Sequence, residues 1–217
     1  SPDGRHLASA GEEHEVRLWD LETGAGTPLR GHGDRVLSVT FSADGRSLWT
    51  ASDDQTVRRW DVVTGESRVV AQRLGRAPSF ALSPDGRWIA ASGAEGRVVL
   101  VDPVTLAERV LGRHREAVYR LAFSPDGAWL ASAGRDRTVR LWDVRRGTLV
   151  AVLQHEAEVF AIAFSPDGRW IASAVNGAVV RIWPTPSGDG APSDPRGLAA
   201  WMATLSTAAL DPRERAP

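Results

Sequence analysis

Apolar and polar positions alternate in short runs along most of this chain, and each run is closed by Gly, Pro or Asp. Between residues 118 and 153 the runs are Val118–Phe123, Trp129–Ala133, Thr138–Trp142 and Thr148–Leu153. Runs of five or six residues bounded by turn formers predict β-strands, and apolar positions do not recur here at helical spacing. The turns have a chemistry of their own. In Ser124-Pro125-Asp126-Gly127 the proline pre-sets φ for the first turn position, and Asp and Gly tolerate the conformations that follow, so the tetrapeptide predicts a hairpin. Gly134 to Arg137 predicts a second tight turn. Leu21-Glu22-Thr23-Gly24 and Val62-Val63-Thr64-Gly65 predict a third, with glycine supplying positive φ. The unit is a four-stranded antiparallel meander.

That unit repeats. SPDG or SADG begins at Ser1, Ser42, Ser83, Ser124 and Ser165, a step of 41 residues each time. A second marker keeps the same step: Trp19-Asp20, Trp60-Asp61, Val101-Asp102, Trp142-Asp143 and Trp183-Pro184. One meander cannot cover both of its apolar faces, so neighbours must stack, and stacking about an axis gives an all-β propeller of four-stranded blades. The first copy starts after its innermost strand and the fifth ends with its third strand at Trp183. Five closed blades are therefore not expected. The repeats, over 1–183 with copies ending near 20, 61, 102, 143 and 183, read as an incomplete propeller from the C-terminal part of a longer chain. An open blade edge at each end predicts self-association.

Gly31-His32, then Phe41 to Gly45, then Thr50 to Trp60-Asp61 form a pattern that resembles the WD-repeat family. The resemblance extends from Ser1 to Trp183. It implies a buried hydrogen-bonded chain in each complete blade: His32, Thr50, Asp54 and Trp60 in the second copy, and His114, Ser132, Asp136 and Trp142 in the fourth. The chemistry is self-consistent, because Asp accepts from imidazole, imidazole fixes the hydroxyl and the hydroxyl accepts the indole N–H. Ser, His and Asp together could also suggest a nucleophilic triad. Recurrence at the blade period and termination on Trp favour the structural reading. Other copies depart from the pattern: the fifth has His155, Ser173 and Trp183 with Gly177 in the Asp position; the third has Arg73, Ala91, Glu95 and Val101; the first has Ser9, Glu13 and Trp19. Apolar packing should hold those blades. Trp88, Trp129 and Trp170 share one second-strand position on three blades, which predicts packing between blades in preference to an aromatic cage. Glu12, Glu13, His14 and Glu15 read as a solvated turn in preference to a metal site.

The resemblance also implies where a partner docks, since such proteins use three positions per blade around the channel mouth. By register these include Arg35, Leu37 and Asp53, then Arg76, then Tyr119 and Arg135, then Glu158 and Phe160. Tyr119 and Phe160, aromatics on adjacent blades flanked by Arg135 and Glu158, are the expected hot spot; the competing reading has both rings merely lining the channel. No phosphate-binding glycine loop, zinc signature or paired carboxylates stand out, so no cofactor is expected. The leading expectation is a non-enzymatic protein-interaction scaffold. A regulatory or sensor propeller with a catalytic domain upstream, such as a Ser/Thr kinase, is the alternative, and an enzyme with an axial site is a third reading.

Composition narrows the field. With 26 basic and 27 acidic residues the formal charge is −1, which argues against a general nucleic-acid binder. All 26 cations are Arg, as a GC-rich bacterial genome would encode, so Arg abundance says little about phosphate. No apolar run approaches the roughly 18 residues of a membrane helix. The lack of cysteine suits a reducing, cytoplasmic setting. From 184 to 196 the chain turns rich in Pro, Gly, Ser and Asp and reads as a linker. A short amphipathic helix is predicted over 197–210, with Asp194 as its cap, Pro195 suited to its first turn, and Leu198, Trp201, Met202 and Leu205 on one face; 211–217 is a tail. Such a helix is marginal alone and should dock on the propeller's side or in a partner. This ending is similar to those of bacterial proteins in which WD repeats follow a signalling domain.

Overall fold

The computed structural model describes residues 1–72, 79–175 and 179–186, among which there are strands and turns and no helix. The strands form five antiparallel sheets, one per repeat. Blade 1 holds β1 (His6–Ala10), β2 (Glu15–Asp20) and β3 (Gly26–Arg30). Blade 2 holds β4 (Val36–Phe41), β5 (Ser47–Ser52), β6 (Val57–Asp61) and β7 (Ser67–Ala71). Blade 3 holds β8 (Ser79–Leu82), β9 (Ile89–Ser92), β10 (Arg97–Val101) and β11 (Glu108–Arg113). Blade 4 holds β12 (Val118–Phe123), β13 (Trp129–Gly134), β14 (Thr138–Asp143) and β15 (Thr148–Gln154). Blade 5 holds β16 (Val159–Phe164), β17 (Trp170–Val175) and β18 (Val179–Pro184). Every sheet is a simple meander, and β12 lies beside both β8 and β16, the first strands of the neighbouring blades. This is the arrangement of an incomplete propeller, with the first strands at the hub.

The turns are held by side chains as well as by backbone conformation. In each SPDG-type turn the Ser hydroxyl accepts the amide five residues on, as from Trp129 N at 2.9 Å, and donates to the Asp two residues on, as in Ser83 to Asp85 at 2.6 Å. The same Asp accepts one further amide, and the closing glycine sits at φ near 70°, as Gly127 does. The Asp that follows Trp in the second marker caps the next turn. Asp61 accepts the amides of Val63 at 2.9 Å and Thr64 at 2.8 Å. Asp102 does the same for Val104 and Thr105 although Val101 replaces Trp before it. The carboxylate is thus required by the turn, independently of the indole.

Period-two alternation gives blades 2 to 4 two apolar faces, and four seams result. Val16, Leu18 and Leu29 of blade 1 meet Val36, Leu48 and Trp60 of blade 2. Trp49, Val57 and Val70 meet Phe80, Ile89 and Val99. Val98, Leu100 and Leu111 meet Leu121, Leu130 and Trp142. Val139, Leu141 and Leu153 meet Val159, Ile171 and Trp183. In β14 adjacent residues serve different seams, Leu141 facing blade 5 and Trp142 facing blade 3. Trp88 and Trp129 pack into the seams as their spacing predicts. Trp170, at the same position, instead stands 45% exposed, because among the described residues no sheet follows blade 5. The other end is open too: Leu7 is 54% exposed where its counterparts Leu48 and Leu130 are fully buried. The last blade also runs past Trp183. Pro184 ends β18, and Thr185 donates its amide to Arg169 O, so the sheet takes in the first residues assigned to a linker. The helix and tail expected over 197–217 lie outside the described residues.

These seams predict unequal costs at one repeat position. Leu130→Ala should destabilise by about 2–5 kcal/mol through the cavity it leaves, whereas Leu7→Ala should cost about 0.5 kcal/mol or less. Urea unfolding of the two variants beside the parent measures the difference, and equal losses would contradict the seam assignment.

Candidate functional site

One set of polar residues recurs inside the sheets, and a second group of side chains gathers at the start of the first strands. The sealed set is built on residues that neighbouring strands bring together. In blade 2, His32 Nδ1 lies 2.8 Å from Asp54 Oδ2 and Nε2 lies 2.7 Å from Thr50 Oγ1, while Trp60 Nε1 donates to the same hydroxyl at 2.8 Å. In blade 4 the corresponding distances are 3.0 Å for His114 to Asp136, 2.7 Å for His114 to Ser132 and 2.8 Å for Trp142 to Ser132. An indole can only donate, and the carboxylate needs the Nδ1 proton. The hydroxyl therefore accepts from Trp and gives its own proton to Nε2. Thr56 and Thr138 complete the two sets, each donating its hydroxyl to the Asp, at 2.6 Å and 2.7 Å. The sequence carried a sign of them, a Thr two residues after Asp in both complete copies. Beside the fourth-copy indole there is no room for a Cβ on Gly112, which would meet Trp142 at 2.7 Å.

The electrostatics follow from burial. Desolvation opposes ionisation of Asp54, but the hydrogen bonds from Thr56, the Gly33 amide and His32 outweigh it and hold the carboxyl at about 2. Asp136 is likewise held well below its ordinary value, desolvation being overcome by His114, Thr138 and the Arg115 amide. Burial pushes His32 down despite Asp54, and pushes His155 down despite the Leu153 carbonyl. Thr50 and Ser132 are fully buried, so neither hydroxyl can meet a substrate as a nucleophile must.

The remaining blades keep parts of this arrangement. In blade 5 Trp183 donates to Ser173 at 3.0 Å, His155 Nε2 lies 2.7 Å from Ser173, and His155 Nδ1 finds the Leu153 carbonyl at 3.1 Å. In blade 1 Trp19 donates to Ser9 at 2.9 Å. Blade 3 puts Ala91 and Val101 into its seam. Arg73 and Gly177 lie outside the described residues. The acidic turn of blade 1 does not converge on a metal: Glu15 binds Arg17 at 2.8 Å and Arg30 at 3.1 Å, and no group of three or more possible ligands forms among the described residues.

At the hub mouth, Leu37, Tyr119 and Phe160 occupy the second position of β4, β12 and β16. Each is the extra residue of a β-bulge. Pairing runs Val36–Ser52 then Ser38–Ala51, Val118–Gly134 then Arg120–Ala133, and Val159–Val175 then Ala161–Ala174. A bulge releases one residue from the ladder and re-aims its side chain. Tyr119 and Phe160 stack across the two blades with centroids 5.1 Å apart and planes 5° from parallel. Tyr119 Oη donates to Glu158 Oε2 at 2.9 Å; burial, then Glu158, raises the phenol above its usual value. Arg135 Nε lies 3.5 Å from Glu158 Oε1 and 3.2 Å from Glu116 Oε2. Glu116 belongs to this cluster although no motif marked it. Arg35 pairs through Nε with the buried Asp53 on blade 2, apart from the aromatic pair. Leu37 is exposed. Arg76 lies outside the described residues.

Two predictions follow from the sealed set. Asp136→Ala should destabilise by about 1–3 kcal/mol by leaving His114 without its acceptor; an unchanged melting temperature would contradict the assignment. Acid should weaken the fold in two stages. A histidine held neutral below its unfolded value of 6.5 makes the unfolded chain the better proton acceptor, so stability falls as pH drops below about 6.5. The depressed Asp54 withdraws its contribution as pH falls from its unfolded 3.8 through about 2. Urea midpoints at pH 7.5 and 5 should therefore differ, the lower at pH 5; a flat or rising profile contradicts this.

Residues 1–20, 25–61, 107–143 and 147–184 match the protein family described as WD domain, G-beta repeat. The longest unmatched interval, 62–106, falls on the third copy, where Trp is replaced by Val101, yet blade 3 has all four strands. No curated protein matches the chain. With the match covering more than half of the residues and five sheets at the repeat period, the chain belongs to the WD domain, G-beta repeat family.

Proposed function

We propose that this protein is a non-catalytic scaffold that binds a protein partner at the hub mouth, with Tyr119 and Phe160 as its anchors. WD repeats generally mediate interactions between proteins. The observation that carries the reading is the bulged, stacked pair: Phe160 is 45% exposed and yet fixed in place by the ring beneath it. Rigid aromatics with an arginine at their border lose little entropy on binding and are frequent interface anchors. Glu158 binds Tyr119 and, with Glu116, flanks Arg135, so these side chains are ordered before a partner arrives. Two features support the absence of catalysis. The Ser/His/Asp and Thr/His/Asp sets are sealed within blades, and their protons are committed to structural hydrogen bonds.

The test is selection of displayed peptides on the parent protein, with each binder re-measured on Tyr119→Ala/Phe160→Ala. Loss of a hot-spot pair should weaken binding at least tenfold, about 1.4 kcal/mol or more, with an unchanged melting temperature. Binders that hold equally well to the double variant would place the docking site elsewhere.

A further inference from the structure

The seam between blades 2 and 3 departs from its neighbours along one strip of residues. On the face that meets the next blade, blade 3 carries Trp88, Ala90 and Leu100, and blade 4 carries Trp129, Ala131 and Leu141. At the same positions blade 2 carries Ser47, Trp49 and Arg59. Trp49 packs in the interior of the seam, but Ser47 is too small to stand in for the indole that its counterparts place beside the turns. A hollow of about 300 Å³ remains there, lined by Ser47, Trp49 and Arg59 from blade 2 and by Leu82, Ile89 and Pro103 from blade 3. That volume is at the small end of ligand sites. Both flanking sheets have all four strands, and Arg68 of β7 donates to the Pro103 carbonyl across the same seam. The hollow therefore belongs to a closed seam, at the end of β4 opposite Leu37. We propose that it binds a small apolar zwitterion, an α-amino acid or a dipeptide, with the carboxylate on Arg59 and the ammonium on Asp44 and Asp85.

Arg59 is the residue that packing does not explain. It stands where Leu100 and Leu141 are fully buried, and a guanidinium drawn into such a seam requires acceptors for its protons. Its Nε donates to Ser47 Oγ at 2.9 Å and its charge lies 5.6 Å from the centre of the Trp49 ring, yet it makes no ion pair among the described residues. Four N–H donors of its fork are left for a planar carboxylate. The nearby acids have other work. Asp44 and Asp85 hold their turns through Oδ1, accepting from Ser42 and Arg46 N and from Ser83 and Arg87 N. Asp61, which Arg59 stabilises at longer range, caps the turn after β6. Asp44 and Asp85 line the hollow with Arg59, and the second oxygen of each makes no hydrogen bond among the described residues. Two rim carboxylates repel a simple anion and attract a cation, so a ligand that carries both charges fits this site best. Leu82, Ile89 and Pro103 offer its side chain an apolar wall. The strip is also a poor choice for packing alone, since Trp49 buries its indole N–H without an acceptor where blades 3 and 4 have only Ala90 and Ala131. Departures of this kind from the rule of the fold belong to functional places.

The experiment is titration of the full chain, followed by NMR or calorimetry, with L-leucine and L-leucyl-L-leucine. Two controls go beside them: leucinamide, which lacks the carboxylate, and N-acetyl-leucine, which lacks the ammonium. At least one of the first two should bind with a Kd of about 1 mM or tighter, the tighter of them telling amino acid from dipeptide, and both controls should bind at least tenfold more weakly. Arg59→Leu should weaken binding at least tenfold. Ser47→Trp/Trp49→Ala/Arg59→Leu rebuilds the strip of blades 3 and 4, so it should melt no lower than the parent and lose binding altogether. Failure of both leucine and the dipeptide to bind the parent chain would overturn the proposal. So would a control that binds as tightly as they do, or undiminished binding by Arg59→Leu or the triple variant.

Discussion

A β-sheet buried on one side only leaves its other face to water, and blades 2 to 4 of this protein are apolar on both. The structure depends on meeting that requirement sheet by sheet. Leu141 and Trp142, neighbours in sequence, pack in different seams, and the same division runs through β5, where Leu48 faces blade 1 and Trp49 faces blade 3. Each seam needs two sheets, so the core is a row of interfaces with no single centre. Stability then depends on neighbours, which is why a leucine can be fully buried in one copy and half exposed at the end of the row.

The hydrogen-bonded sets inside blades 2 and 4 serve this packing. A Trp large enough to fill a seam brings a buried N–H with it, and a hydroxyl, an imidazole and a carboxylate carry that polarity in sequence to the edge of the sheet, where backbone amides meet the Asp. Blade 3 avoids the problem by using Val101. Blade 5 substitutes a backbone carbonyl for the carboxylate. The family signature is thus one solution to burying an indole, and a blade can close without it. The second blade shows a further variation: Trp49 and Arg59 face one another across the ladder, where the other copies pair Ala with Leu or Ile, as in Ala131 with Leu141 and Ala172 with Ile182. Ser47 stands in that blade at the position Trp88 and Trp129 hold in theirs, and the indole of Trp49, two residues on, fills the seam.

The packing rule is relaxed on the first strands. The bulges at Leu37, Tyr119 and Phe160 take one residue per inner strand out of the ladder, so these side chains answer to the hub. Two adjacent copies carry aromatics there, and the stack they form joins blades 4 and 5 at the surface while their seam joins them below.

Repeat length, the all-β class and the turn residues were legible in the sequence, because a structure built of equivalent units writes its constraints at a fixed interval; four members of each sealed set came from the family resemblance, and Thr56 and Thr138 from the structure. His32, Thr50, Asp54 and Trp60 are far apart in the chain; the resemblance to WD repeats implied that they form one set, as it did for His114, Ser132, Asp136 and Trp142 82 residues later. What breaks the period was not legible in the same way. The bulges leave no mark in composition, since an extra residue in one strand is defined only by its partner strand. Glu116 joins Arg135 and Glu158 because three loops meet, and the exposure of Leu7, Trp170 and Ile182 depends on which sheet lies beside them. The chain by itself determined what each blade is, through local turn chemistry and alternation. Only the tertiary structure decided what each blade faces, because a side chain's surroundings at a seam or a hub are set by residues that a neighbouring blade contributes.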